Sequence, residues 1–139
     1  MAAERLRGSC LCGAVTYEVW GPFTVFGHCH CSRCRKATGS AHSTGLYASP
    51  TSFSWLTGGD HVVRFDLPSA RSFSTAFCRT CGAPLPHPTR SGRELIVPAG
   101  SLDGDPGIRP DSHIHWGSRA EWSCGPDSLP RFGGQKNDG

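Results

Sequence analysis

The stretch Cys78-Arg79-Thr80-Cys81-Gly82 is a CxxC pair followed directly by glycine, the arrangement of a zinc knuckle. Such a turn lets two thiolates face one ion at about 2.3 Å, and the glycine lets the backbone curl beneath the sulfurs. A tetrahedral ion needs two further ligands, and Cys10-Leu11-Cys12-Gly13 can supply them. In an extended segment residues i and i+2 point to the same side, so that pair presents both sulfurs together. Cys10, Cys12, Cys78 and Cys81 therefore make a candidate closed four-cysteine site of the structural kind. It would pin the N-terminal segment to the middle of the chain.

A third cluster, Cys29-His30-Cys31-Ser32-Arg33-Cys34, supplies only three thiolates. Three protein ligands leave the fourth position of a zinc ion to water or substrate, which distinguishes a catalytic site from a structural one. Soft thiolate ligands favour a soft fourth ligand, so a thiol substrate, bound as thiolate, is the natural candidate. Two thiolates already neutralise Zn2+; a third, with a substrate thiolate, overloads it with negative charge and argues for a labile ion. The alternative is that His28, His30 or Cys124 closes this second site and makes it structural. A thioredoxin-like reading of the CxxC lacks the surrounding βαβ pattern, and iron held by four thiolates would show itself by colour. Cys124, outside the clusters, otherwise reads as a buried or idle free thiol.

Compartment bears on this reading. Met1-Ala-Ala-Glu-Arg-Leu-Arg7 lacks the apolar run of a secretory signal, and no segment approaches the roughly 18 apolar residues of a membrane span. The expectation is a cytoplasmic chain, where eight cysteines speak for metal or catalysis and against a disulfide framework. The 139 residues fit one domain, placed at 1–132, with 133–139 expected to be a disordered tail because it has nothing to bury. Fourteen Lys and Arg against eleven Asp and Glu give +3, scattered without a basic run, which indicates no nucleic-acid footprint.

Eighteen Gly and eleven Pro argue for short strands joined by tight turns rather than long helices. Residues 14–20 alternate, with Val15, Tyr17 and Val19 on one face, and read as a half-buried strand. Further strands are expected over 23–28, 44–47, 61–65, 72–77 and 94–98. Residues 32–38 read as one short helical turn stopped by Gly39. The last 35 or so residues, rich in Pro, Gly and Trp, are expected to wrap the sheet as ordered loops.

The ordered clusters resemble a known family. Gly8-Ser-Cys-Leu-Cys-Gly-Ala-Val15, Cys29-His-Cys-Ser-Arg-Cys-Arg-Lys-Ala-Thr-Gly-Ser40 and Phe77-Cys-Arg-Thr-Cys-Gly82 look like the glutathione-dependent formaldehyde-activating enzymes, also called the centromere protein V-like family. Pro98-Ala-Gly-Ser-Leu-Asp103, Pro110-Asp-Ser-His-Ile-His-Trp116, Ala120-Glu-Trp122 and Leu129-Pro-Arg-Phe132 agree. The resemblance implies a mainly β, Mss4-like or β-tent fold of short antiparallel strands stapled by zinc, with little helix. It implies two zinc ions, one structural on Cys10, Cys12, Cys78 and Cys81, one catalytic on Cys29, Cys31 and Cys34.

The implied activity is that of a carbon–sulfur lyase of the S-(hydroxymethyl)glutathione synthase type, joining glutathione or a similar thiol to a small aldehyde such as formaldehyde. Arg33, Arg35 and Lys36 lie beside the open cluster and either attract a substrate carboxylate or form solvated surface. Thr38, Gly39 and Ser40 offer donors to a substrate or simply end the helix. His113, with His115 and Trp116, lies in a family-like motif and either lines the pocket or packs the tail. Two other readings stand beside this one: a non-catalytic zinc-stabilised binding module of the same fold, and a lyase acting on a non-glutathione thiol adduct.

Overall fold

The computed structural model describes residues 4–123 and 127–136. In chain order the strands are β1 (Arg5–Ser9), β2 (Thr16–Trp20), β3 (Val25–Cys29), β4 (Ser43–Ala48), β5 (Phe53–Thr57), β6 (Val62–Asp66), β7 (Ser74–Cys78), β8 (His87–Pro88), β9 (Leu95–Pro98) and β10 (Ser112–Ile114). A single α-helix among the described residues, α1 (Ser32–Thr38), lies between β3 and β4. The protein is mainly β with little helix, as expected. No helix among the described residues is long and apolar enough to cross a membrane.

The described residues form three sheets. β1, β2 and β5 form one, β6 and β7 a hairpin, and the largest has the order β10-β3-β4-β9-β8. Every pairing is antiparallel except β10 with β3, which run parallel with Ser112, His113 and Ile114 beside Gly27, His28 and Cys29. This strand stands inside the C-terminal stretch expected to be loop, and it ties that stretch to the segment entering the second cysteine cluster. Three residues, Ser-His-Ile, carry too little alternation to announce a strand. Short 3-10 turns at Trp116–Ser118 and Glu121–Ser123 make up much of the rest. Of the earlier expectations, Cys124 and residues 137–139 lie outside the described residues.

Alternation builds the core. Val15, Tyr17 and Val19 are fully buried, and they belong to one cluster with Phe26, Leu46, Ala48, Leu95 and Val97 from the five-stranded sheet. Cys10 and Cys78 belong to the same cluster, so the closed cysteine site adjoins the hydrophobic core. The other face of the five-stranded sheet presents Val25, Gly27 and Cys29 of β3 opposite Tyr47, Gly45 and Ser43 of β4. Because strand side chains alternate, that face is free to floor a site while its reverse packs.

Gly8 marks a close approach on the core side. A Cβ there would stand 2.2 to 2.5 Å from the Tyr17 ring, whose hydroxyl is held by Ser101 Oγ at 2.5 Å. The ring cannot yield without breaking that bond. Gly8→Ala is expected to cost about 2 kcal/mol through overpacking, read as a lowered midpoint in urea unfolding with an unchanged slope.

Candidate functional site

The first cysteine pair does not sit in an extended segment. It occupies a turn between β1 and β2, in which the Cys10 amide donates to the Val15 carbonyl at 3.0 Å and the Gly13 amide to the Cys10 carbonyl at 3.2 Å. Gly13 takes φ 81°, a left-handed conformation that closes the turn under the sulfurs. The second pair begins at the end of β7. There Gly82, at φ 75°, donates to the Cys78 carbonyl at 2.7 Å, the glycine curl expected of a knuckle.

These turns bring Cys10, Cys12, Cys78 and Cys81 together with all four sulfurs within 4.8 Å of one another. Cys10 Sγ and Cys12 Sγ are 3.7 Å apart, and Cys12 Sγ and Cys78 Sγ are 3.9 Å apart. A tetrahedral ion with metal–sulfur bonds of about 2.3 Å sets its ligand sulfurs about 3.8 Å apart. The set therefore fits such an ion. Its electrostatics agree, because the Cys12 and Cys81 thiols are shifted in opposite directions. The Cys81 thiol is pulled down to about 6, first by the Ala83 backbone amide. Cys12 is pushed up to about 11: the Ala14 amide favours its thiolate, but burial and three neighbouring sulfurs outweigh it. A divalent cation at the centre removes that conflict.

Cys29 closes β3, and Cys31 and Cys34 belong to α1 and its cap. Cys31 is the N-cap of α1, its Sγ accepting from the Cys34 amide at 3.3 Å. Gly39 ends the helix at φ 69° and returns its amide to the Arg35 carbonyl at 2.8 Å. The seven-residue helix buries no side chain. A helix this short is not stable alone, so its caps and the cysteine cluster hold it. The sulfurs of Cys29, Cys31 and Cys34 lie within 4.8 Å of one another. Burial pushes Cys29 and Cys34 up. Cys31 is lowered, since the Cys34 amide and adjoining thiols together overcome its burial. Cys31 is thus the first of the three to ionise.

No fourth protein ligand joins these three among the described residues. His30, between two of them, is buried, and its Nε2 and His113 Nδ1 are hydrogen-bonded at 2.8 Å. His28 hydrogen-bonds through Nδ1 to Thr44 Oγ1 at 2.7 Å. The rings of His28, His30, His42 and His113 pack at 4.3 to 5.1 Å between centroids. Burial, ahead of the neighbouring histidines, pushes both His28 and His30 below the usual range. Together with the His30 amide, which donates to the Ile114 carbonyl at 3.0 Å, this cluster fastens the Cys29–Cys31 segment to β10.

The three thiols open on a cleft of about 1050 Å³ floored by the exposed face of the five-stranded sheet. Arg33 and Thr38 line it; Arg35, Lys36, Gly39, Ser40 and His113 do not. The Thr38 hydroxyl is already bonded to the Cys34 carbonyl at 2.8 Å, as a helix-end residue would be. The cleft also takes in Tyr47, Gly27 and Gly45, which sequence reasoning passed over. Two glycines inside strands are the signal that could have found them, since such glycines mark close approach of a ligand or another backbone.

This whole arrangement falls within residues 5–118, the span that matches the glutathione-dependent formaldehyde-activating enzyme family. The chain belongs to that family. A Halomonas elongata protein, provisionally named a glutathione-dependent formaldehyde-activating enzyme, is 30% identical over 115 residues, covering 79% of this chain and 73% of the relative. A crystal structure of a Rhodobacter sphaeroides protein, 26% identical, superposes with a TM-score of 0.60 over 78% of this chain and 98% of that one. Both cysteine clusters and the cleft are therefore features of a family member, and their chemistry is to be read in that frame.

Proposed function

We propose that the chain is a zinc-dependent enzyme that joins or cleaves the bond between a thiol sulfur and the carbonyl carbon of a small aldehyde. Glutathione and formaldehyde are the pair that the family name points to, and a cytoplasmic, reducing compartment suits thiolate sites. The observation that carries this reading is the set of three thiols at Cys29, Cys31 and Cys34, open to a cleft and without a fourth protein ligand among the described residues. In this reading Cys10, Cys12, Cys78 and Cys81 hold a structural zinc, Cys29, Cys31 and Cys34 a catalytic one, and residues 1–132 act as one domain.

Zinc at the open site would supply a Lewis acid and would stabilise a thiolate at neutral pH. The rest falls to the chain. Cys29, Cys31 and Cys34 would hold the ion, and α1 orients two of them. In the joining direction the thiol sulfur attacks the carbonyl carbon, forming the carbon–sulfur bond, and the thiol proton passes to the carbonyl oxygen. Nothing is oxidised or reduced. The reverse step returns thiol and aldehyde. Arg33, which lines the cleft and adjoins Cys34 in sequence, would meet an anionic part of the substrate.

Zinc per chain before and after gentle chelation tests the metal partition: one ion should be held firmly and one lost easily. Exchange NMR of thiol and formaldehyde, with and without the zinc-loaded protein, tests the chemistry. Exchange acceleration that vanishes with the labile ion is the expected result. No acceleration with both ions present would favour the non-catalytic binding module.

A further inference from the structure

The cleft is poor in charge. Among the described side chains that line it, Arg33 is the single permanent ion, and no Asp, Glu or Lys is present. Glutathione is a zwitterion with two carboxylates and one ammonium group. An ion moved from water into a partly enclosed site is disfavoured unless a counter-ion meets it. Arg33 can meet one carboxylate. The other basic side chains in the lining are His42, His87 and His115, and no carboxylate is there to meet the ammonium.

The floor suggests where an uncharged arm would lie. Moving along the sheet from Cys29 and Ser43, the next residues on that face are Gly27 and Gly45, a directly opposed pair, and then Val25 and Tyr47. Bare backbone therefore runs from the cysteine cluster to a phenol, with Ile96, Pro98 and Ile114 alongside. The Tyr47 hydroxyl makes no hydrogen bond among the described residues, and burial pushes its pKa up, so it stays a neutral donor. The two glycines are not equivalent. A Cβ on Gly27 would stand 3.0 Å from Ser112 Oγ and 3.3 Å from the Ser112 carbonyl oxygen, a tight fit in which β10 would have to give slightly. A Cβ on Gly45 would make only ordinary contact, 3.5 Å from Ile96 Cγ2, at a backbone conformation open to any residue. Packing does not demand a glycine at 45.

Resting on the sulfur–carbonyl reading above, we propose that the arm of the thiol substrate lies over the Gly27–Gly45 pair toward Tyr47, and that this track selects an uncharged, amide- or hydroxyl-bearing thiol over glutathione.

The test uses the full chain with cobalt(II) in place of zinc, titrated with N-acetylcysteamine or glutathione while the sulfur-to-cobalt charge-transfer band is followed. Formaldehyde exchange with each thiol is measured in parallel on the zinc form. N-acetylcysteamine is expected to half-saturate at a concentration about tenfold below that for glutathione. Gly45→Val should raise its half-saturation about tenfold while leaving the thiol-free cobalt spectrum unchanged, with Gly45→Ala giving a smaller shift in the same direction. Tyr47→Phe should weaken N-acetylcysteamine and leave the cobalt spectrum alone. Equal or tighter binding of glutathione, or indifference to both substitutions at Gly45, overturns the track while exchange activity, if present, keeps the sulfur–carbonyl reading. Failure of either thiol to perturb the band, with no accelerated exchange, overturns both.

Discussion

Cys78→Ser is expected to produce a chain that does not fold cooperatively. The Cys78 side chain is fully buried at the end of β7 and belongs to the same cluster as Val15, Tyr17 and Leu85. Serine there leaves three thiols facing one ion and a hydroxyl in the apolar wall of the core. Metal binding by such sites contributes about 10 to 16 kcal/mol of apparent binding free energy in small zinc domains. The whole stability of a domain this size is about 5 to 15 kcal/mol. Loss of one ligand is thus comparable to the margin. Circular dichroism should show no sigmoidal thermal transition, and the firmly held zinc should be absent. A melt within about 5 °C of the parent would contradict a structural role for this set.

Cys31→Ser is expected to do the reverse: exchange activity falls about 100-fold or more, while the melting temperature moves by only a few degrees. The reason lies in what Cys31 does besides ligation. It caps α1, accepting from the Cys34 amide, and serine is among the best residues for that task. Serine therefore preserves the cap. The helix buries no side chain, so the core does not register the change. What is lost is a soft thiolate, the first of the three to ionise, and with it the labile ion. Zinc analysis on the same sample should find the firm ion and not the labile one. Equal damage from Cys31→Ser and Cys78→Ser would collapse the distinction between the two centres.

Much of the architecture was legible because its causes are local. The alternation around Val15, Tyr17 and Val19 gave a strand, and Gly39 after a polar run gave the end of α1 at Thr38. The cysteine groups were legible because each pair is closed by a turn of a few residues. β1, with one apolar side chain between two arginines, and β5, a largely exposed edge strand, were not. Their pairing is decided by neighbours rather than by their own pattern. The histidine cluster was hidden for a related reason. His113 meets His30 only because β10 runs parallel to β3, and no spacing rule anticipates a partner 83 residues away. The cleft was the least legible. Gly45 and Tyr47 share a face with Cys29 only once the register of β3 with β4 is fixed. The first cysteine pair also proved to lie in a turn rather than an extended segment.

The two cysteine sets differ in how far along the chain they reach. One gathers residues 29–34, the other spans residues 10–81. An unfolded chain already keeps three thiols of the short set within a few residues, so it can chelate a soft cation before any sheet exists. The long set exists only once β7 and the turn before β2 have met. A ligand stabilises the native state only by its preference for that state over the unfolded ensemble. Metal at the short set therefore adds little to stability however tightly it binds, whereas metal at the long set adds nearly its full binding free energy. If both sets take the same ion, an unfolded chain short of metal would load the short set before the long one.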